Sequence, residues 1–206
     1  MINIKMKPKI YTIGYAGFSL PDFIEEIKAR QITALIDVRS IPYSKAYSDF
    51  NKENLNKTLR ENNIIYRNYA KEFGARRSES ELYTGSKVDF QKVAASEIFK
   101  NGIEKIKAGA SLGYVFALMC SERDPAFCHR AVLVARAFSD RGFEVFHIIR
   151  GGSEISQIEF ERCLTHFYFP ETEQVTFLTQ ALTAEQKIYA AYELRAGEVA
   201  YTRKKS

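Results

Sequence analysis

A chain of 206 residues with 46% hydrophobic and 27% charged side chains carries enough apolar material for one buried core and too much to stay disordered. The net charge of +5 is mild, its lysines and arginines are spread along the chain, and no apolar run approaches the roughly 18–20 residues of a membrane span. That pattern argues against a dedicated nucleic-acid binder and against a membrane protein, and three cysteines are too few for a disulfide framework.

The opening MINIKMKPKI has lysines but no apolar stretch of the secretory kind, so a cytoplasmic protein is expected. Lys9–Tyr15 is rich in β-branched and aromatic residues and reads as a strand. Ser19 then has the character of an N-cap, with Pro21 and Asp22 in the first turn of a helix that buries Phe23, Ile24 and Ile27 and ends near Arg30. Thr33–Ser40 is a continuous apolar run with a polar end, the pattern of a strand covered on both faces and stopped by Pro42.

A helix over Asn51–Asn62, a short strand in NNIIYRNY and a long helix over Val88–Ala108, interrupted at Gly102, follow. Tyr114–Cys120 is the most strand-like segment. Asp124–Pro125 signals a helix running to Asp140 and stopped by Gly142, and Glu144–Ile149 is a fifth strand. This alternation predicts a three-layer α/β sandwich, Rossmann-like, around a mostly parallel, doubly wound five-stranded sheet. Ala70–Lys87 lacks a period and reads as a functional loop or lid. After Gly151–Gly152 the rhythm stops, and Gln157–His166 and Ala184–Ala196 suggest helices. We therefore expect a core domain over 1–150 and a helical extension over 151–206 packed on it, with the tail Arg203–Lys204–Lys205 a frayed end.

Open α/β sheets bind ligands beyond the carboxyl ends of their strands, so the residues following each strand are the ones to inspect. Gly14 ends the first strand, with Gly17 beyond it, too short a pattern for a dinucleotide fingerprint but open to a backbone approach by a ligand phosphate. Asp37 and Arg39 alternate onto one face after the second strand, followed by Ser40, Tyr43 and Ser44. They form either an ion pair fixing the loop or an anion site in which Asp37 orients Arg39.

The fourth strand ends in Cys120-Ser121-Glu122, and Cys128-His129-Arg130 lie beyond. A thiol facing a helix N-terminus would have a lowered pKa and serve as nucleophile, with Glu122 moving protons. Nine residues separate Cys120 from Arg130, so the phosphatase loop with its five is excluded. A helix starting at Pro125 puts Phe127, Ala131, Val134, Ala135 and Phe138 on one face, flanked by Cys128 and Arg130, with His129 pointing away. On that wheel the thiols are foremost packing residues and no metal site is expected. His147, inside a strand, reads as a core histidine.

Three motifs together resemble a known family. T-I-G-Y, I-D-V-R-S-I-P-Y-S and L-M-C-S-E-x-x-P-x-x-C-H-R, spread from about Tyr11 to Ile148, are similar to the domain of unknown function 488 family. The resemblance implies motif positions at Gly14, Asp37, Arg39, Ser40, Pro42, Ser44, Cys120, Glu122, Cys128, His129 and Arg130, and no settled activity or cofactor. The sequence departs from the family's L-G-G-x-R segment, reading F-G-A-R-R at Phe73–Arg77.

Two functions stay open at this point. One is a small enzyme for a nucleotide, nucleic-acid base or phosphorylated metabolite. Its catalytic residues are Cys120, Glu122 and Asp37, and its substrate is held by Arg39, Ser40, Tyr43, Ser44, Cys128, His129, Arg130 and Gly14. Arg39 and Arg130 would grip the anion as two prongs. The other is a non-catalytic module for nucleic acid or another ligand, using the Ala70–Lys87 loop and the rings of Tyr43, Tyr47, Tyr66 and Tyr69.

Overall fold

A computed structural model describes residues 7–149, 151–170 and 182–203. The N-terminal hexapeptide and the last lysines of the tail lie outside the described residues.

Six strands form one sheet, β1 (Lys9–Gly14), β2 (Ala34–Asp37), β3 (Ile65–Asn68), β6 (Phe116–Cys120), β7 (Glu144–Ile148) and β8 (Glu154–Ser156), in the order β3-β2-β6-β1-β7-β8. The first five run parallel and β8 pairs antiparallel with β7, so the expected five-stranded sheet gains an edge strand. The segment after residue 150 thus opens with a strand and not a helix. Three residues of mixed polarity, just past two positive-φ glycines, carry too little pattern to announce it. A hairpin of β4 (Tyr83–Thr84) and β5 (Lys87–Val88) stands apart.

Helices α1 (Leu20–Ala29) and α2 (Lys52–Glu61) cover one face of the sheet through Phe23, Ile27, Leu55 and Leu59. Ser19 caps α1 and Pro21 sits in its first turn, as the sequence signals. The other face is covered by α5 (Glu97–Ser111), the helical segment from Arg130 through α6 (Arg136–Ser139), α7 (Gln157–Tyr168) and α8 (Ala184–Val199). Apolar side chains therefore fill both interlayer spaces, the three-layer arrangement expected of continuous apolar strands.

The helix expected over Val88–Ala108 is two: α4 (Phe90–Ala95) and α5, broken at Ser96, which caps α5. Gly102 is not the interruption. It lies inside α5, where an added Cβ would come within 2.9 Å of the Phe73 ring, so the glycine lets α5 approach α3 (Ala70–Phe73) closely. The Ala70–Lys87 stretch is more ordered than a lid: buried Arg77 donates to the carbonyls of Lys71 and Glu72. The tail is tied down as far as Arg203, which donates to the carbonyls of Ser78 and Ser86 and covers the Tyr83 ring. No helix of the described residues is long and apolar enough to cross a membrane.

Candidate active site

The chain path creates a crevice at the end of β6. Strands β1 and β2, which flank β6, hand on to helices on one face, whereas β6 hands on to the helical segment on the other. Loops that leave to opposite sides open a gap at the carboxyl ends, the usual ligand position in such sheets. A cavity of about 500 Å³ occupies it, lined by Arg39, Ser40, Tyr43, Ser44, Cys120, Glu122, Cys128 and His129, with Tyr15, Tyr47, Arg76 and Tyr201. A larger hollow of about 670 Å³ lies nearby but is walled mostly by apolar side chains such as Phe160, Leu164 and Phe167, and it lacks a comparable set of reactive groups.

The floor is built by one local irregularity. Asp124 caps a short 3-10 turn over Pro125–Phe127, and Cys128 is then extended, with φ −135° and ψ 133°. The main helix starts only at His129–Arg130, with a π-helical turn over Arg130–Ala135 leading into α6. This corrects the wheel drawn from Pro125. Phe127 is exposed, while Cys128 and His129 both turn inward to meet Cys120 at the end of β6. The Nδ1 of His129 lies 3.9 Å from each sulfur, and Nε2 is 3.1 Å from the Val38 carbonyl. With Nε2–H donating to that carbonyl, the neutral ring presents its Nδ1 lone pair to the two thiols.

Glu122 reaches over this floor from the cleft side. Its Oε2 accepts from the thiols of Cys120 (3.0 Å) and Cys128 (3.2 Å), and Oε1 accepts from the Ser121 hydroxyl (2.8 Å). Desolvation by the cleft wall would raise its pKa, but these hydrogen bonds outweigh it and hold the carboxyl down to about 2. Glu122 is therefore ionised near neutral pH and has no proton to give, which removes the acid half of the role expected for it. The neighbouring Cys128 thiol, then burial, push the Cys120 thiol well above its usual range despite the opposing pull of His129. The expected low-pKa nucleophile is thus corrected: a protonated, carboxylate-bound thiol is a poor one. Burial would lower His129, yet its neighbours Cys120 and Glu122 and the Val38 carbonyl raise it.

Arg39 and Arg130 do not form a two-pronged anion site. Arg130 is completely buried, donating to the carbonyls of Glu122 and Arg123, and it does not line the cleft. It holds the loop that carries Glu122. Arg39 forms a two-bond pair with Asp37 at 2.9 and 2.6 Å and stacks on Tyr15. Asp37 is itself fully buried, accepting as well from the Tyr66 hydroxyl at 2.7 Å, so it is an anchor and not an acid or base open to substrate. Arg39 lines the cleft, with its Nη1 buried and without a hydrogen-bond partner among the described residues.

Gly14 is likewise a packing position. A Cβ there would fall 1.8 Å from the Glu122 carbonyl oxygen, so the glycine serves the close approach of β1 to the Glu122 loop and not that of a phosphate. The two serines organise the rim: Ser40 Oγ accepts from the Arg76 N–H, and Ser44 N–H donates to Asn51 Oδ1. Tyr43 and Tyr47 are exposed on it, whereas Tyr66 is buried and Tyr69 stacks on Phe73, which removes two of the four rings considered for stacking. Tyr15, Ser121 and Tyr201 join the wall without having been singled out; Tyr201 arrives from beyond α8, a proximity no local pattern reveals.

A family model described as domain of unknown function DUF488 matches residues 19–137, more than half of the chain. The matched span contains the Asp37–Ser44 and Cys120–Arg130 segments and leaves out the T-I-G-Y strand. No curated protein and no solved structure matches the chain.

Proposed function

The chain belongs to the family described as domain of unknown function DUF488, and from that premise and the cleft's geometry we propose that it is a small enzyme acting on an anionic, base-bearing substrate of the nucleotide class. One observation carries the reading. Two thiols, an imidazole and an ionised carboxylate converge on the floor of a cavity whose upper wall offers arginine and tyrosine. Sequestering that many polar groups costs stability unless each is well paired. The sulfur–nitrogen contacts of 3.9 Å are poor pairing, so the cluster is better explained by chemistry than by packing.

The roles follow from position. The exposed Arg76 supplies charge-assisted donors for a phosphate or carboxylate, and Arg39 in the cleft wall stands behind it. Tyr43 and Tyr47 offer ring faces at the rim on which a base stacks. Glu122, ionised and next to the floor, orients the reacting group.

A thermal-shift and calorimetry series with nucleoside monophosphates, inorganic phosphate and sulfate tests binding, and product analysis by mass spectrometry tests turnover. Nucleotides should stabilise the protein beyond sulfate, Arg76→Ala and Tyr43→Ala should weaken that gain, and Glu122→Gln should bind but not convert. Equal stabilisation by all anions in all variants would sink the proposal.

A further inference from the structure

We propose that Cys120, Cys128 and His129 form a three-ligand site for a zinc-class divalent cation, with the fourth position open to the cleft. The inference goes beyond the nucleotide reading, with which it shares the two thiols and the imidazole of the cleft floor.

The ligand atoms are already gathered. The two sulfurs and one imidazole nitrogen all lie within 4.8 Å of one another, with both sulfur–nitrogen separations at 3.9 Å. A tetrahedral ion with bonds of about 2.3 Å to sulfur and about 2.0 Å to nitrogen spaces its ligand atoms roughly 3.5–3.8 Å apart. The two sulfur–nitrogen pairs need a contraction of about 0.4 Å and the sulfur pair at most about 1 Å, within the reach of side-chain adjustment.

The histidine is oriented as a ligand. Metal-bound imidazoles commonly donate their second N–H to a backbone carbonyl or carboxylate, which fixes the tautomer and aims the free lone pair at the ion. The Val38 carbonyl takes that place at 3.1 Å from Nε2, leaving Nδ1 toward the sulfurs. In ordinary packing this Nδ1 would be a buried acceptor beside two thiols whose protons are already donated to Glu122, an expensive arrangement. A Cys120–Cys128 disulfide would improve nothing, since it takes away the two thiol protons that Glu122 accepts and leaves Nδ1 no better paired.

The donor set selects the cation. Two thiolates and an imidazole suit zinc or cobalt and not magnesium or calcium, which prefer oxygen. Binding releases the two thiol protons, M²⁺ + 2 RSH → M(SR)₂ + 2 H⁺, and bulk buffer takes them up. Glu122, hydrogen-bonded to both thiols beforehand, then borders the open position, while the buried thiols and histidine are shielded from solvent on the protein side. Three protein ligands and one open position mark a site for chemistry and not a structural knuckle.

The test uses the full chain, purified reduced, stripped with chelator, and titrated with zinc, with cobalt and with magnesium as the control. We expect one retained equivalent of zinc after desalting. Cobalt should give intense visible bands of tetrahedral coordination and a near-ultraviolet thiolate charge-transfer band. Cys120→Ser and Cys128→Ser should each weaken zinc binding by more than about tenfold and diminish the charge-transfer band, with Cys163→Ser matching wild type. Wild-type stoichiometry and spectrum require no variant to fold. Absence of retained zinc and of cobalt bands in the reduced wild type overturns the site, as does a cobalt spectrum unchanged in both cysteine variants. A cobalt spectrum without any nucleotide-induced stabilisation would overturn the nucleotide reading alone.

Discussion

Replacing Asp37 by Asn separates an anchoring role from a catalytic one. The change keeps the side chain's shape but removes the charge facing Arg39, a residue only 4% exposed whose guanidinium would keep only the Phe50 carbonyl as a strong partner. The Tyr66 hydroxyl and the Arg39 N–H also lose a charged acceptor. Removing one member of a buried pair typically costs about 3–5 kcal/mol, because the other charge is left uncompensated. For a domain of this size that is roughly 6–20 °C in melting temperature. Urea unfolding of wild type, Asp37→Asn, Arg39→Gln and the double variant measures it. The double variant should recover part of the loss, since no lone charge remains, and the coupling should exceed about 1 kcal/mol. A loss below about 1 kcal/mol in Asp37→Asn, the value of a solvent-exposed pair, would refute the anchor and return Asp37 to the reacting groups.

Gly14→Ala places a Cβ 1.8 Å from the Glu122 carbonyl and must push β1 and the Glu122 loop apart by more than an ångström. A cost of about 1–3 kcal/mol in urea unfolding, accompanied by weaker nucleotide binding, is expected, and wild-type values for both would contradict the close approach. His147 is buried between Thr12, Gln157 and the Phe160 ring, and burial first, then the Arg130 charge, lower it from 6.5 to about 4. Because the unfolded chain takes up the proton at higher pH, His147's contribution is intact above pH 6.5. It falls as pH drops toward 4, by about 2 kcal/mol at pH 5, a slope that urea unfolding of His147→Gln should lack.

Five of the six strands were legible because strands buried within the sheet read as apolar runs, and α1 because Ser19 and Pro21 mark its start. The strand-end rule located the cleft for the same reason. Roles within it were harder to read, since they turn on a backbone feature with little signature. Proline at position 125 and an N-cap at Asp124 announce a helix equally well whether it continues or stops after one turn. The extended Cys128 shifts the helix start by some four residues, and at 3.6 residues per turn that also re-aims every side chain near the junction. His129 moves from solvent to the floor, and Phe127 moves the other way.

The arginines show a second limit. Arg39 and Arg130 look equivalent in sequence, both following a central strand, yet one is neutralised by Asp37 and the other is spent on two backbone carbonyls. Spacing predicts where a guanidinium sits but not which partner reaches it first. The Glu122 loop decides that here. Its carbonyls engage Arg130, its approach demands Gly14, and its carboxylate closes over both thiols, so one short loop ties the sheet end, the helix start and the reactive floor into a single unit. A perturbation of any of the three should therefore be felt at the other two, which is why the loop, more than any one residue on the floor, determines whether the cleft keeps its shape.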